Sequence, residues 1–492
     1  MIEKVKHKGL ALAVLAAAQF MVVLDATITN VALPAIQQAL GFTSDAELQW
    51  VITAYALAFG GFLLLGGRLA DLFGRRKLFL IGTVVFAAAS LAAGFAQDPT
   101  QMIVFRALQG LGGALLSPAA LSLVLTIFKE GPERNKALGV WSMVAAGGGA
   151  VGLLLGGVLT EYVDWRWIFF INVPIAALII AATMRYVPVS LPRKKESVDI
   201  LGAITVTGSL MTLVYALAKA AEDGWGATST LVTFAISVVL MVWFIINELR
   251  IKHPLIKLSI FRKRNVTGGS TVMLLMPAAM FGMFFYLSIY LQQVLGYSPT
   301  ETGVANLPFT LTIMVVAGVL SKKAMSINPK AVLVAGPLLV AAGLLYFARI
   351  PVDAQYLTDV LPGILLMGTG MASVFVMATM ATTNGISQAE SGLVSGILNT
   401  GQQVGGAIGL AVLTVISTAA TKSHLADNPP VNGAINEALV AGFHQGFIAA
   451  AIFAVAASAV ALFVFKTHTP TKKEMADDMQ REAEALAAIP GA

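Results

Sequence analysis

Two ionisable residues stand inside long apolar stretches, and they are the natural starting point for chemistry. Asp25 follows an apolar run that begins at Leu10, and Arg106 lies within the apolar stretch 101–128. A charge held in a bilayer costs about 2.5–3.5 kcal/mol on insertion scales, so such residues are functional candidates by default. If residues 10–33 form an outward-running helix, Asp25 lies about 23 Å from its starting face, at about 1.5 Å per residue. Arg106 lies about 9 Å from the opposite face on a helix running back. In a core about 30 Å thick these depths nearly coincide. An ion pair, direct or bridged by water, would relieve both charges. A static structural pair is one reading. The other is a protonation site coupled to transport, because exchange against protons needs an acid that sheds its proton to one side at a time.

A second constellation is the segment Gly67-Arg68-Leu69-Ala70-Asp71-Leu72-Phe73-Gly74-Arg75-Arg76-Lys77, in which one acid sits among four cations. Gly67 and Gly74 suit a tight interhelical turn, although a solvated loop would have a similar composition. Polar residues that could face a central cavity are Gln19, Asn30, Tyr55, Gln109, Tyr286, Gln292, Asn306, Asn399 and Gln403. Each could equally make an interhelical hydrogen bond, worth about 0.6 kcal/mol on average in membranes. The stretch from Met280 to Tyr286 is rich in Met and aromatics, which pack against lipid or form adaptable binding walls. There is no cysteine and no P-loop, and the five histidines are scattered, so thiolate chemistry, ATP as fuel and an enzyme are all disfavoured.

The elements that hold these residues must be membrane helices. Of 492 residues, 57% are hydrophobic and 12% charged, with a mean hydropathy of +0.81. That leaves too few polar groups to cover a water-facing surface, against about 25% charged residues in soluble domains. A span needs about 20 apolar residues. Fourteen such stretches occur, at 10–33, 47–67, 78–97, 101–128, 136–160, 166–187, 200–220, 228–248, 266–294, 302–321, 330–349, 356–380, 391–418 and 441–465. Of the 32 lysines and arginines, 27 fall on the N-terminal side of the membrane, and Arg166, Lys219, Arg349 and Lys422 on the other. This bias places both termini in the cytoplasm. The net charge of +6 is thus a topogenic signal, and nucleic acid is not an expected partner.

Weak internal repeats divide the chain. Gly110-Leu111-Gly112 pairs with Gly368-Thr369-Gly370, and Gly139-Val140-Trp141-Ser142 with Gly392-Leu393-Val394-Ser395. The near-constant offset implies an N-terminal six-helix bundle (1–198), two inserted helices (199–250) and a C-terminal six-helix bundle (251–492). Paired halves with a site at their interface are a transporter architecture.

The segment 67–77 resembles the signature loop of the major facilitator superfamily. Leu24-Asp25-Ala26-Thr27-Ile28-Thr29-Asn30-Val31-Ala32-Leu33-Pro34 resembles the first-helix motif of its fourteen-helix drug:proton antiporter branch. Arg106-Ala107-Leu108-Gln109-Gly110-Leu111-Gly112 is similar to the fourth-helix motif. Gly148, Gly152, Gly156 and Gly157 match the spacing of the antiporter motif, with Leu153 where a proline usually follows the central glycine. Leu295-Gly296-Tyr297-Ser298-Pro299 through Leu307-Pro308 is typical of the same branch, and the likeness runs from Leu10 to Phe465. The resemblance implies an all-α protein of two pseudo-symmetric six-helix bundles and two inserted helices. It implies export of amphipathic small molecules (drugs, antiseptics, antibiotics) in exchange for protons across the cell membrane. A dedicated exporter of one metabolite or self-made antibiotic is the nearest alternative. Asp25 and Arg106 would couple protons; Gly67, Arg68, Asp71, Gly74, Arg75 and Arg76 would form a conformational latch. A monomer with no cofactor beyond its coupling protons is expected.

Overall fold

In the computed structural model, residues 7–128, 132–189, 199–251, 254–323, 328–383, 388–427 and 434–465 are described, and the account below concerns these alone. With no water in hydrocarbon, each backbone amide must bond within its own segment, which helices do. Fourteen long helices result, one for each apolar stretch. The first six are α1 (Lys8–Leu40), α2 (Trp50–Phe73), α3 (Arg75–Gly94), α4 (Pro99–Ile127), α5 (Pro132–Tyr162) and α6 (Asn172–Tyr186). Then come α7 (Ile200–Asp223) and α8 (Thr228–Arg250). The last six are α9 (Arg264–Ile289), α10 (Pro299–Lys323), α11 (Pro329–Phe347), α12 (Leu361–Thr383), α13 (Gln388–Asp427) and α14 (Ala434–Phe463). By their described residues, 13 are long and apolar enough to cross a membrane, α6 being counted together with the short helix Trp167–Phe170 before it. The other, α5, has 31 residues and so is about 46 Å long at 1.5 Å per residue.

Local sequence sets the ends. Gly41 ends α1 with a φ of 73°, and Gly74 turns α2 into α3 with a φ of 96°, both backbone shapes that favour glycine. Ser298 and Glu301 cap α10 reciprocally: the Glu301 carboxylate accepts from Ser298 N (2.8 Å) and the Ser298 hydroxyl from Glu301 N (3.2 Å). Several helices outrun the apolar stretch that predicts them. α13 has 40 residues against the expected span 391–418, because apolarity marks where lipid lies and not where helical hydrogen bonding stops. The stretch 166–187 is interrupted: a short helix Trp167–Phe170 is followed by α6, which carries Pro174 in its first turn.

The packing repeats itself at an interval of eight helices. α1 lies against α5, α2 against α4 and α3 against α4; α9 lies against α13, α10 against α12 and α11 against α12. The two halves join through α2 with α13 and α5 with α10, pairs that exchange under the same pseudo-symmetry. α7 and α8 pack on each other, and α7 also touches α2 and α13. It therefore lies along the seam, where Leu210, Val214 and Leu217 share a core with Leu57, Val404 and Ala411. α8 turns Val238, Val239, Trp243 and Leu249 outward, as a helix bordered by lipid would.

Candidate functional site

Asp25 and Arg106 meet directly. An Arg106 Nη1–Asp25 Oδ2 contact of 2.7 Å joins α1 to α4, and both side chains are fully buried. The other carboxylate oxygen, Oδ1, accepts from Gln109 Nε2 (2.7 Å) and from Asn172 Nδ2 (2.9 Å). Arg106 also donates to Gln109 Oε1 (2.7 Å) and, through Nε, to the Val51 carbonyl (2.9 Å). Its guanidinium lies 4.4 Å from the Tyr55 ring centroid. Gln109 is one turn after Arg106, so α4 presents both from one face. Donors from α4 and α6 thus converge on one carboxylate of α1, which accepts three hydrogen bonds, while α2 holds Arg106 through the Val51 carbonyl. A buried ion pair of this kind is tolerable only when its remaining groups find partners; here both oxygens of Asp25 and the Nε and Nη1 of Arg106 are bonded.

Asn172 and Ser90 are members of the network that sequence reasoning missed. Asn172 also donates to Ser90 Oγ (3.0 Å), and Ser90 donates to the Phe169 carbonyl (2.8 Å) at the break before α6. The available signal was an asparagine two residues before Pro174 inside an apolar stretch, where an interrupted helix frees backbone groups.

Beside the pair lies a cavity of about 1260 Å³ between the halves. It exceeds the roughly 300–1,000 Å³ usual for small-molecule sites. Of the expected cavity residues, Gln19, Asn30, Tyr55, Asn399 and Gln403 line it, as does Arg106. Four do not, each for a structural reason. Gln109 is committed to Asp25. Tyr286 points away into the C-terminal half, where its ring packs 5.5 Å from Phe443 and its hydroxyl meets Thr414. Gln292 bonds the Val31 carbonyl across the halves (2.9 Å), and Asn306 donates to Thr302 O within its own helix (2.9 Å). From the Met-rich stretch, Met280, Phe281 and Phe284 do form wall.

The cavity reaches the end of the bundle that carries Gly67 and Arg68, where Pro254 and Lys257 also border it. The other end is closed. Ser288 Oγ donates to Asn30 O (2.8 Å), Gln293 Nε2 to Gln37 Oε1 (3.0 Å) and Thr300 N to Glu161 Oε2 (3.0 Å), all between halves. In α5, Gly148, Gly152 and Gly156 bring its backbone against α1. A Cβ at Gly152 would lie 3.0 Å from Leu24 O, and one at Gly156 2.8 Å from Ile28 O. Gly157 faces α10 instead, where a Cβ would fall 2.5 Å from Thr300 Cα. With Leu153 in place of proline, α5 runs unbroken through the motif, and Leu153 borders the cavity.

In the 67–77 loop, Arg76 Nη2 donates to Met184 O (2.8 Å), and Arg75 Nη1 to Ser122 O (3.3 Å) and Thr126 Oγ1. These bonds tie α3 to α4 and α6. The Asp71 side chain lies outside the described residues.

Two repeated helical bundles around a one-sided cavity define a membrane transporter of the alternating-access type of architecture. The sequence profile of the Major Facilitator Superfamily matches residues 15–410. The chain is 42% identical over 453 residues to the puromycin resistance protein pur8 of Streptomyces alboniger, covering 90% of this chain and 88% of that one. It is 33% identical to the multidrug resistance protein Stp of Mycobacterium tuberculosis, covering 80% and 73%. The fold also matches a crystal structure of the POT family transporter PepTSo, with a TM-score of 0.66 at 15% identity, covering 94% of this chain and 99% of that one. The chain belongs to the Major Facilitator Superfamily.

Proposed function

We propose that this protein exports amphipathic small molecules across the cell membrane in exchange for protons, both termini being cytoplasmic. The observation that carries the reading is a buried carboxylate one residue removed from a large amphipathic cavity: Arg106 touches both. Relatives named for puromycin resistance and multidrug resistance support the choice of substrate class. With the N-terminus inside, the cavity is open to the cytoplasm, ready to load. Substrate or solvent drawing Arg106 aside would weaken its hold on Asp25, since an opposite charge favours the ionised form. A proton could then bind, so proton and substrate would compete. In the outward-open state Asp25 would take a proton as substrate leaves, and the return would expose it to the more alkaline cytoplasm.

The 67–77 loop would act as a latch on the relative stability of the two states. Asp71→Asn should slow exchange more than it weakens substrate binding. A sharp loss of affinity at a normal exchange rate would contradict that role.

The decisive test is transport in proteoliposomes with an imposed pH gradient and a panel of dyes and antibiotics. Gradient-dependent transport of several unrelated compounds supports the reading; transport indifferent to the gradient overturns the coupling. The alternative is a dedicated exporter of one antibiotic, favoured by the likeness to pur8, which is named for a single one. A narrow resistance spectrum on overexpression would select it.

A further inference from the structure

The exporter reading leaves the charge of the substrate open, and the cavity wall speaks to it. We propose that the cavity accepts neutral and anionic aromatic amphipaths and discriminates against organic dications. The proposal rests on the exporter reading and deepens it.

The first observation is where the acid lies. At the depth of the ion pair Asp25 is the one carboxylate among the described residues, and it is fully buried behind Arg106, with its oxygens held by Arg106, Gln109 and Asn172. What the cavity meets at that level is the guanidinium and not the carboxylate. The rest of the deep wall offers dipoles and apolar surface. Asn30, Asn399 and Gln403 supply amides, and Met280, Phe281 and Phe284 supply adaptable contact area.

A second observation concerns the route inward. Among the described residues, the mouth is bordered by Arg68, Lys257 and the acid Asp199. Both oxygens of Asp199 are engaged, Oδ1 by Gly202 N (2.8 Å) and Oδ2 by Asn247 Nδ2 (2.7 Å). Past the mouth, an organic cation reaches a deep wall with no exposed carboxylate among the described residues. Aromatic faces can hold one diffuse positive charge, but the Tyr55 ring is already taken by Arg106 at 4.4 Å and stacks on Phe59. Phe281, Phe284 and Trp141 still border the cavity and can hold one diffuse charge, but a second, localised ammonium finds no exposed carboxylate deep in the wall among the described residues. An anion or a neutral hydrogen-bonding ring system suffers no such conflict.

Ethidium and propidium share one ring system, and propidium carries a second, quaternary charge on a longer N-alkyl chain, so the change in their affinity ratio on adding a carboxylate to the wall isolates the charge effect. Equilibrium binding of both, and of the anionic dye fluorescein, to the purified full-length protein in nanodiscs tests the proposal. Propidium should bind at least about tenfold more weakly than ethidium, and fluorescein no more weakly than ethidium, because one unpaired charge in a partly solvated site amounts to at least that factor. Gln403→Glu places a carboxylate in the wall at almost unchanged shape and should reduce the ethidium-to-propidium ratio. Asn399→Asp is the second variant should the first fail to fold. Propidium binding as tightly as ethidium to the wild type, or a ratio untouched by the new carboxylate, overturns the proposal. Those results would leave the exporter reading standing. Saturable binding of none of the three dyes, together with no dye efflux from cells, would remove both.

Discussion

The two halves share a packing pattern but not a chemistry. In the N-terminal half, α1 and α4 meet across Asp25, Arg106 and Gln109, with Asn172 and Ser90 completing the network. In the C-terminal half the counterpart helices α9 and α12 carry one charged residue between them, Arg264 at the very start of α9. Their interior is Met273, Met276, Tyr286, Met367 and Met371, all buried. Among the described residues of these paired helices the buried acid lies in the N-terminal bundle, while the other contributes a soft wall that can accommodate differently shaped ligands. The single side chain that belongs to both the network and the cavity is Arg106. Coupling between proton and substrate should then pass through it.

The harshest way to break this comparison is to remove the titrating group. Asp25→Asn keeps the size of the side chain while removing its charge, its proton chemistry and one of its two acceptor oxygens. Gradient-driven efflux should fall to background with normal expression, measured by dye transport in proteoliposomes. Wild-type rates in this variant would show that the N-terminal network is only structural.

Removing its partner should cost somewhat less activity but more stability. Arg106→Ala leaves the Asp25 carboxylate buried without its cation, a type of change that destabilises by about 3–5 kcal/mol. The side chain that links the carboxylate to the cavity is then gone, so the pH dependence of efflux should change. Thermal unfolding in detergent and a pH–rate profile check the two parts separately. An unchanged pH profile would end the coupling role of the pair.

On the other side of the comparison, Phe281→Ala should alter affinity and nothing else. Phe281 lines the cavity and packs against Gly406, where a Cβ would lie 2.6 Å from the ring. Loss of one aromatic wall contact should weaken binding of aromatic substrates about three- to tenfold, with the pH midpoint of transport unmoved. A shift in that midpoint would mean that the C-terminal half also takes part in titration.

Much of this division could be read before any coordinates. Long apolar stretches located all fourteen helices, because lipid imposes length and composition together. Asp25 and Arg106 were conspicuous for their depth, and depth arithmetic brought them to one level. Uncharged polar residues were far less legible. Gln19 and Gln403 face the cavity while Gln109 and Gln292 face helices, and nothing in a glutamine's immediate sequence distinguishes the two fates. That outcome depends on the rotation of each helix about its axis, which is set by glycine contacts such as Gly152 against α1. Asn172 was hidden for a different reason: its role arises from the interruption before α6, a local event in a stretch that reads as continuous.

The smallest expected effect concerns the closed end, where the halves touch through a group that titrates but should not act as a sensor. Glu161 lies at the end of α5, beyond the apolar span 136–160, and its Oε2 accepts from Thr300 N (3.0 Å) at the start of α10. Thr300, then Ser298, hold its carboxyl below the ordinary 4.5, and a negative charge at a helix N-terminus is itself favourable. When the halves part, the group returns toward its ordinary value. A group whose value is depressed in the closed state contributes fully above the ordinary value and loses that contribution as pH falls below it. The contact should therefore be constant from pH 6 to 8. Glu161→Gln should shift the balance toward outward opening by about two- to fivefold, the scale of a single exposed charge at a helix end, at every pH in that range. The chain has no native cysteine, so a cysteine pair introduced across this end, one on α1 and one on α9, reports its opening by cross-linking yield. A variant whose opening became steeply pH-dependent between 6 and 8, or did not change at all, would place the closing interaction elsewhere.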